Sequence, residues 1–368
     1  MRTVAIQGNS TRVIEISPTK LKAVVANPVK SAEIVNLVYV KDGAEGITRT
    51  RRGKSFTYHY RGKKITDKKI IERIRKLVLP PAWKKVWICA NENGHLQATG
   101  YDALNRKQYK YHALWNSLRN QTKYSRLQDF GKTVPLIRKQ LNAHLALPGL
   151  PQEKVLAAVV SLMELTSIRV GNNYYEKLYG SFGLTTLKDQ HVKIRGAGMQ
   201  FAFKGKKGVM HSISLRNKRL AAVVKKCRDI PGKELFQYKD ETGVYRTVDS
   251  GMVNNYIKTI CGQDFTAKDF RTWSGSVNAL AAFMELGPSK TVTGRRKNVV
   301  TALDMVSQQL GNTRTVCKKY YVHPTVITLY ENEKLDTYLK TREIKVGKNY
   351  KGLTGEEKLL MKILEKNM

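Results

Sequence analysis

The chain has 368 residues, 41% of them hydrophobic, with 66 Lys and Arg against 29 Asp and Glu and a formal charge of +37. That length and apolar share allow one large core or two moderate ones. A surface so positive calls for a polyanionic partner, nucleic acid through counterion release from its phosphates, or an anionic membrane as the rival.

No apolar run reaches the roughly 18 residues that a spanning helix requires. The stretch from Met1 to Lys30 mixes polar, charged and short apolar residues and lacks a secretory apolar core. A protein that stays in the cytoplasm, where it is made, is expected. Cys89, Cys227, Cys261 and Cys317 stand apart, without the close pairing of a zinc or dithiol motif, so neither metal nor disulfide is expected. Cys317 reads as a small, semi-buried apolar residue.

Residues 1–32 show weak order signals and read as a tail or extension. From residue 33 to about 115 the pattern is strand-rich. Ile34 to Val40 is a β-branched run closed by Asp42-Gly43, and Phe56 to Tyr60 alternates aromatic and polar residues before Arg61-Gly62. Asp67 to Leu77 predicts a helix with Ile70, Ile71, Ile74 and Leu77 on one face, stopped by Pro80-Pro81. Trp87 to Ala90 and His95 to Ala98 read as a hairpin across Asn93-Gly94.

Residues 116–368 change to long helical periods, as in Val155 to Ile168 and Val277 to Leu286. A β interlude interrupts them: Val192 to Ile194, Gln200 to Phe203 and His211 to Leu215, the last two flanking the basic turn Lys204 to Gly208. Thr354 to Met368 predicts an amphipathic helix with Leu359, Leu360, Ile363 and Leu364 as its apolar side. The expected fold class is α+β, a small β-rich amino-terminal domain followed by a larger, mainly helical one.

No nucleotide-binding loop, dinucleotide glycine fingerprint or His-Glu-x-x-His motif occurs. A basic enzyme of this kind must work with arginines, lysines and a side-chain nucleophile, and four segments supply them. Ile168-Arg169-Val170-Gly171 ends an apolar helix, which by itself could be a helix terminus favoured by the dipole. Gly205-Lys206 sits in a hairpin turn, where a lysine is usually just solvated but can also deliver a proton. Lys268-Asp269-Phe270-Arg271-Thr272 could be a helix face with an ordinary ion pair. Gly311-Asn312-Thr313 precedes Lys319-Tyr320-Tyr321-Val322-His323-Pro324, and a tyrosine is most often a packing residue.

In their order and local context the four segments resemble one family, the type IB DNA topoisomerases shared by poxviruses and many bacteria. Ser181 to Leu187 adds to the likeness. So do Gly46 to Arg49, Pro80 to Trp83, Val86 to Cys89, Gly94 to Gly100 and Arg106 to His112 in the amino-terminal part. The resemblance covers roughly residues 33 to 335. It implies that Tyr321 is the nucleophile, Arg169 and Arg271 clamp the phosphate, and Lys206 is the general acid. Asn312 falls where poxviral enzymes carry histidine, keeping a hydrogen-bond donor but no imidazolium charge. Leu104-Asn105 and Arg314 also depart from the family's usual residues, at loop positions.

The resemblance further implies relaxation of supercoiled DNA through a 3′-phosphotyrosyl intermediate, with no cofactor and no metal. Double-stranded DNA is the expected partner, bound by a monomer in the nucleoid with no obligate protein partner and no membrane. Arg49, Arg51, Arg52 and Lys54 are candidates for phosphate contact, and Gln108, Tyr109 and Tyr111 for a closer approach to bases and sugars. A tyrosine recombinase is the nearest alternative, though Lys268 stands where recombinases usually carry histidine. A non-catalytic DNA-binding protein would explain the charge but not the matched positions.

The spacing also makes a geometric demand. At about 100° per residue, an unbroken helix would put Asn312 and Tyr321 on nearly opposite faces. Asn312 is therefore expected before the helix, after a Gly311 of unusual backbone. Asn312, Thr313 or Thr315 should cap the helix, with Tyr321 projecting from its body.

Overall fold

A computed structural model describes residues 4–7, 13–16, 27–53, 55–103, 105, 107–230, 232, 234–339 and 350–367. The chain divides into two units between Arg126 and Leu127.

In the amino-terminal unit, β1 (Val4–Gln7) and β2 (Val13–Ile16) pair antiparallel within the stretch expected to be a tail. Helix α1 (Pro28–Glu33) starts where Asn27 accepts from the backbone N–H of Val29 and Lys30, with proline in the first turn. The strand expected over Ile34 to Val40 does not form. Ile34 caps α1, Asn36 is left-handed at φ 55°, and Val38 makes only an isolated bridge to Gly94. Ala32, Val35 and Leu37 are instead buried against Trp115 and Leu118. Capping and burial outweigh the β-branched propensity of the run.

The strands β3 (Gly46–Arg52), β4 (Ser55–Tyr60), β5 (Lys63–Lys64), β6 (Lys84–Cys89), β7 (Leu96–Tyr101) and β8 (Lys107–Tyr111) form one antiparallel sheet. Their order is β5-β4-β3-β6-β7-β8. Helix α2 (Lys68–Lys76), capped by Asp67, brings Ile74 onto Ile47, Val86, Ile88 and Ala98 of the sheet. Both the expected helix and the expected β6–β7 hairpin are present. Gln97 holds that hairpin's turn by donating to the carbonyls of Glu92 and Gly94 at 2.8 and 2.7 Å. Helix α3 (Ala113–Ser125) ends the unit.

The second unit is built on α5 (Gln152–Thr166), in which Val155 to Val160, Leu162 and Met163 are all buried. A helix apolar on every side must be surrounded. The elements before the sheet are α4 (Leu127–Leu145) and α6 (Asn173–Tyr179). Strands β9 (Val192–Arg195), β10 (Gly198–Lys204) and β11 (Met210–Arg216) form the three-stranded sheet expected from the interlude. Next come α7 (Lys218–Arg228), the β12 (Gln237–Lys239) and β13 (Tyr245–Thr247) pair, and α8 (Ser250–Cys261). Helices α9 (Ala267–Leu286), α10 (Val292–Leu310), α11 (Arg314–Tyr320), α12 (Pro324–Glu331), α13 (Asp336–Leu339) and α14 (Gly355–Asn367) complete it. No helix among the described residues is long and apolar enough to cross a membrane.

The expected terminal helix is α14, with Leu359, Leu360, Ile363 and Leu364 buried. Its Glu357 accepts from Arg138 of α4 at 2.7 and 2.9 Å and from the Trp273 indole of α9 at 3.0 Å. Arg138 also pairs with Glu164 of α5. This pairing raises the Arg138 pKa despite burial, and the same bonds hold the Glu357 carboxyl below its usual range against desolvation. Glu357→Ala strands the buried Trp273 indole N–H and leaves the half-buried Arg138 guanidinium with only Glu164 and the Gly352 carbonyl. It is expected to lower the unfolding free energy by about 3 kcal/mol, read by denaturant titration.

Candidate active site

Arg169 follows α5 by three residues, and backbone bonds fix its place. Ser167 caps α5 in the left-handed conformation at φ 56°. The Arg169 carbonyl then accepts from Leu184 N–H at 2.9 Å, and the Val170 carbonyl from Thr185 N–H at 2.6 Å. Gly183 has no room for a side chain, since a Cβ would lie 2.6 Å from the Arg169 oxygen and from Gly171. Phe182 N–H donates to the Lys204 carbonyl at 2.8 Å, so the 181–187 segment also grips the end of β10. The Arg169 guanidinium donates to the Gly311 carbonyl at 3.1 Å and to Asn312 Oδ1 at 2.5 Å.

Arg271 lies in the second turn of α9, after a capping box in which Thr266 and Asp269 bond reciprocally. It is only 6% exposed. It donates to the Ser167 carbonyl, at the end of α5, and to the Leu310 carbonyl, at the end of α10, at 2.7 Å. Its Nε is buried without a hydrogen-bond partner among the described residues. The guanidinium carbon stands 5.1 Å from the Tyr321 ring centroid.

Burial pulls the Arg169 pKa down to about 10, and the neighbouring Arg271 charge adds to the shift. Arg271 is lowered chiefly by burial, opposed by Tyr321. At about 10, Arg169 remains a cation at neutral pH, and a guanidinium such as Arg271 keeps its proton in proteins.

Helix α10 ends at Leu310, Gly311 turns left-handed at φ 57°, and Thr313 caps α11 by accepting from Val316 N–H at 3.4 Å. Asn312 therefore precedes the helix, as the spacing demands. With its Oδ1 held by Arg169, its Nδ2 is buried and has no partner among the described residues. Tyr321 differs from expectation: it is the C-cap of α11 rather than part of its body. Its carbonyl lies 3.3 Å from Ser276 Oγ, whose one hydrogen it shares with the Thr272 carbonyl at 2.9 Å, and the same hydroxyl accepts from His323 N–H at 2.9 Å. A Cβ on Gly275 would lie 2.7 Å from the Tyr321 oxygen, so glycine is what lets α9 approach this backbone.

Lys206 opens a tight 3-10 turn at the exposed tip between β10 and β11, closed by Gly205 N–H donating to the Val209 carbonyl at 2.7 Å. Beside it His211 packs between Gly205 and Gly311, linking the hairpin to the Asn312 loop. Arg169, Arg271, Asn312 and Tyr321 thus converge, with the Lys206 turn one side chain away. Sequence reading missed Gly183, His211, Gly275 and Ser276. The signal for Gly275 and Ser276 was their position one turn beyond Arg271 on the same helix.

The amino-terminal candidates lie on a separate unit. Arg49 turns inward, donating to the carbonyls of Leu79, Pro80 and Trp83 at 3.5, 3.0 and 2.8 Å, with its guanidinium 4.3 Å from the Phe56 ring centroid. Arg51 and Arg52 are exposed at the end of β3. Tyr109 and Tyr111 stack at 6.0 Å on β8, and Tyr109 is half exposed. Gln108 donates to Asp102 at 2.9 Å. Lys54, like Leu104 and Arg106, lies outside the described residues.

Residues 110–346 match a family model described as eukaryotic DNA topoisomerase I, catalytic core. Residues 55–102 match one described as bacterial DNA topoisomerase IB, N-terminal domain. A DNA topoisomerase 1B of Acanthamoeba polyphaga mimivirus is 33% identical over 298 residues, covering 78% of this chain and 88% of the relative. A DNA topoisomerase 1B of Vaccinia virus and a DNA topoisomerase I of Monkeypox virus are each 23% identical over 247 residues, covering 66% of this chain and 75% of the relative.

The close approach at Gly183 has a measurable consequence. Gly183→Ala forces a methyl group against the Arg169 carbonyl, and overpacking of this kind costs about 2 kcal/mol. A lowered thermal midpoint is expected, and an unchanged one would mean that the 181–187 segment does not hold Arg169.

Proposed function

The chain belongs to the type IB DNA topoisomerase family, and we propose that its chemistry is carried by Tyr321, Arg169, Arg271, Lys206 and Asn312. It relaxes supercoiled DNA by transient single-strand cleavage and rejoining, independent of ATP and metal. The Tyr321 oxygen attacks the scissile phosphorus and gives up its proton to water. A phosphotyrosyl ester to the 3′ end forms as the bond to the 5′ oxygen breaks. That oxygen leaves as a hydroxyl, taking its proton from the Lys206 ammonium. Rejoining is the reverse, and because one ester replaces another the bond energy is conserved.

The observation that carries this reading is a pair of buried donors left over, Arg271 Nε on the guanidinium that faces the Tyr321 ring and Asn312 Nδ2 on the amide held by Arg169. Buried N–H groups are almost always paired. Two that are not, one on Arg271 and one on the Asn312 amide beside Arg169, suit the non-bridging oxygens of a phosphate whose charge grows in the transition state.

In the amino-terminal unit, Arg51, Arg52 and Lys54 are proposed to neutralise DNA phosphates, and Gln108, Tyr109 and Tyr111 to make closer contacts. Arg49 would act indirectly, by holding the Leu79 to Trp83 loop. One chain supplies every proposed catalytic group, which supports action as a monomer on double-stranded DNA. A cytoplasmic, nucleoid location is proposed, in keeping with that substrate.

Supercoiled plasmid should be relaxed in EDTA without ATP. Tyr321→Phe is expected to abolish relaxation and covalent capture of DNA while leaving binding largely intact, and Tyr320→Phe to stay active. A dead Tyr320→Phe beside an active Tyr321→Phe would overturn the assignment. Asn312→Ala should slow single-turnover cleavage by about 100-fold with little loss of DNA affinity, since its donor acts in the transition state.

A further inference from the structure

The hairpin that carries Lys206 also carries an imidazole that the mechanism above does not use. His211 of β11 lies nearly flat on Phe203 of β10, with ring centroids 5.0 Å apart and planes 16° from parallel. Its outer edge meets two glycines. A Cβ on Gly205 would stand 2.5 Å from His211 Cδ2 and 2.6 Å from Nε2. A Cβ on Gly311 would stand 2.3 Å from Cε1 and 2.9 Å from Nε2. The Nε2 corner is therefore wedged between the residue before Lys206 and the residue before Asn312.

Backbone conformation does not explain both glycines. Gly311 is left-handed, but Gly205 has φ −90° and ψ −164°, which any residue adopts. What excludes a side chain at Gly205 is the His211 ring. Burial, with the charges of Arg169 and Arg271, lowers the His211 pKa and keeps the ring neutral. A neutral ring fills the gap without adding a third charge to the phosphate site.

We propose that His211 is a positioning residue for proton delivery, setting the Lys206 turn against the Gly311–Asn312 loop. Lys206 then meets the leaving 5′ oxygen while Asn312 and the two arginines hold the same phosphate. The inference rests on Lys206 acting as the general acid. In the step it serves, the bond from phosphorus to the 5′ oxygen breaks as the Tyr321 oxygen bonds to phosphorus. One proton passes from the Lys206 ammonium to the departing oxygen and returns to the amine on rejoining.

The test compares single-turnover cleavage of ordinary DNA with that of DNA carrying sulfur in place of the scissile 5′ oxygen. A thiolate leaves without being protonated, because thiols are far stronger acids than alcohols. His211→Ala is expected to cleave ordinary DNA about 100-fold more slowly, within the range of a general-acid contribution. It should bind DNA as before and cleave the sulfur substrate at nearly the wild-type rate. Lys206→Ala is measured beside it. Should sulfur fail to rescue Lys206→Ala, the general-acid reading itself fails. Should sulfur rescue Lys206→Ala but leave His211→Ala equally slow on both substrates, only the positioning role fails. A wild-type rate for His211→Ala on ordinary DNA also overturns it.

A second pair of variants guards against a folding defect. Gly205→Ala drives a methyl group into the His211 ring and should slow cleavage of ordinary DNA. In a His211→Ala background the ring is gone and that loss should shrink. Strictly additive losses would show that ring and glycine do not act through one contact.

Discussion

A cation buried at this site must keep its charge, and the surrounding structure follows from that constraint. Taking a guanidinium out of water costs several kcal/mol unless its donors are satisfied. The usual remedy is a carboxylate, and the chain uses it at Arg138, which is held by Glu164 and Glu357. At Arg271 a carboxylate would cancel the charge proposed to hold a phosphate. The donors go instead to the carbonyls of Ser167 and Leu310 at the ends of α5 and α10. Such carbonyls have no partner within their own helices and lie at the negative end of the dipole. They solvate the guanidinium without neutralising it. Arg169 is treated alike, with the Gly311 carbonyl and the Asn312 amide oxygen as its acceptors.

This arrangement also explains why the family's motifs are short and scattered. Each covers one corner of a small polyhedron of helix ends. Ile168 to Gly171 leaves α5, Lys268 to Thr272 enters α9, and Leu310 to Thr313 joins α10 to α11. The 181–187 segment supplies the backbone bonds that close the first corner. Its conspicuous residue is Gly183, whose missing side chain is the requirement.

The residues proposed to do the chemistry, Arg169, Arg271, Asn312 and Tyr321, were legible in the sequence by their type, and the structure brings them together. The break before α11 was legible too, because helical geometry forbids Asn312 and Tyr321 a common face on one unbroken helix. What could not be read was anything set by contacts distant in sequence. Ile34 to Val40 has strand composition, yet burial of Val35 and Leu37 against Trp115 and Leu118 decides its form. Arg49 looked like its exposed neighbours Arg51 and Arg52, but its donors end on carbonyls some 30 residues away. His211 gave no signal, since its meaning lies in two glycines, Gly205 and Gly311, more than a hundred residues apart.

The anchoring of Tyr321 has a mechanical side. With Tyr321 as the attachment point, a nicked duplex hangs from the protein by a single covalent tether while its free end swivels. Torque from unwinding then pulls on the tyrosine's own main chain. That main chain is not suspended in a loop: Tyr321 N–H donates to the Cys317 carbonyl at 2.9 Å, and Gly275 and Ser276 press against its carbonyl. Both belong to α9, whose Phe270 and Trp273 pack edge-on against Phe130 in the core. Load from a rotating strand would thereby be led into the buried aromatic packing of the core. Because Arg271 rides on the same helix, the proposed tether and the proposed clamp are anchored to one element, which would keep the broken ends in line for rejoining.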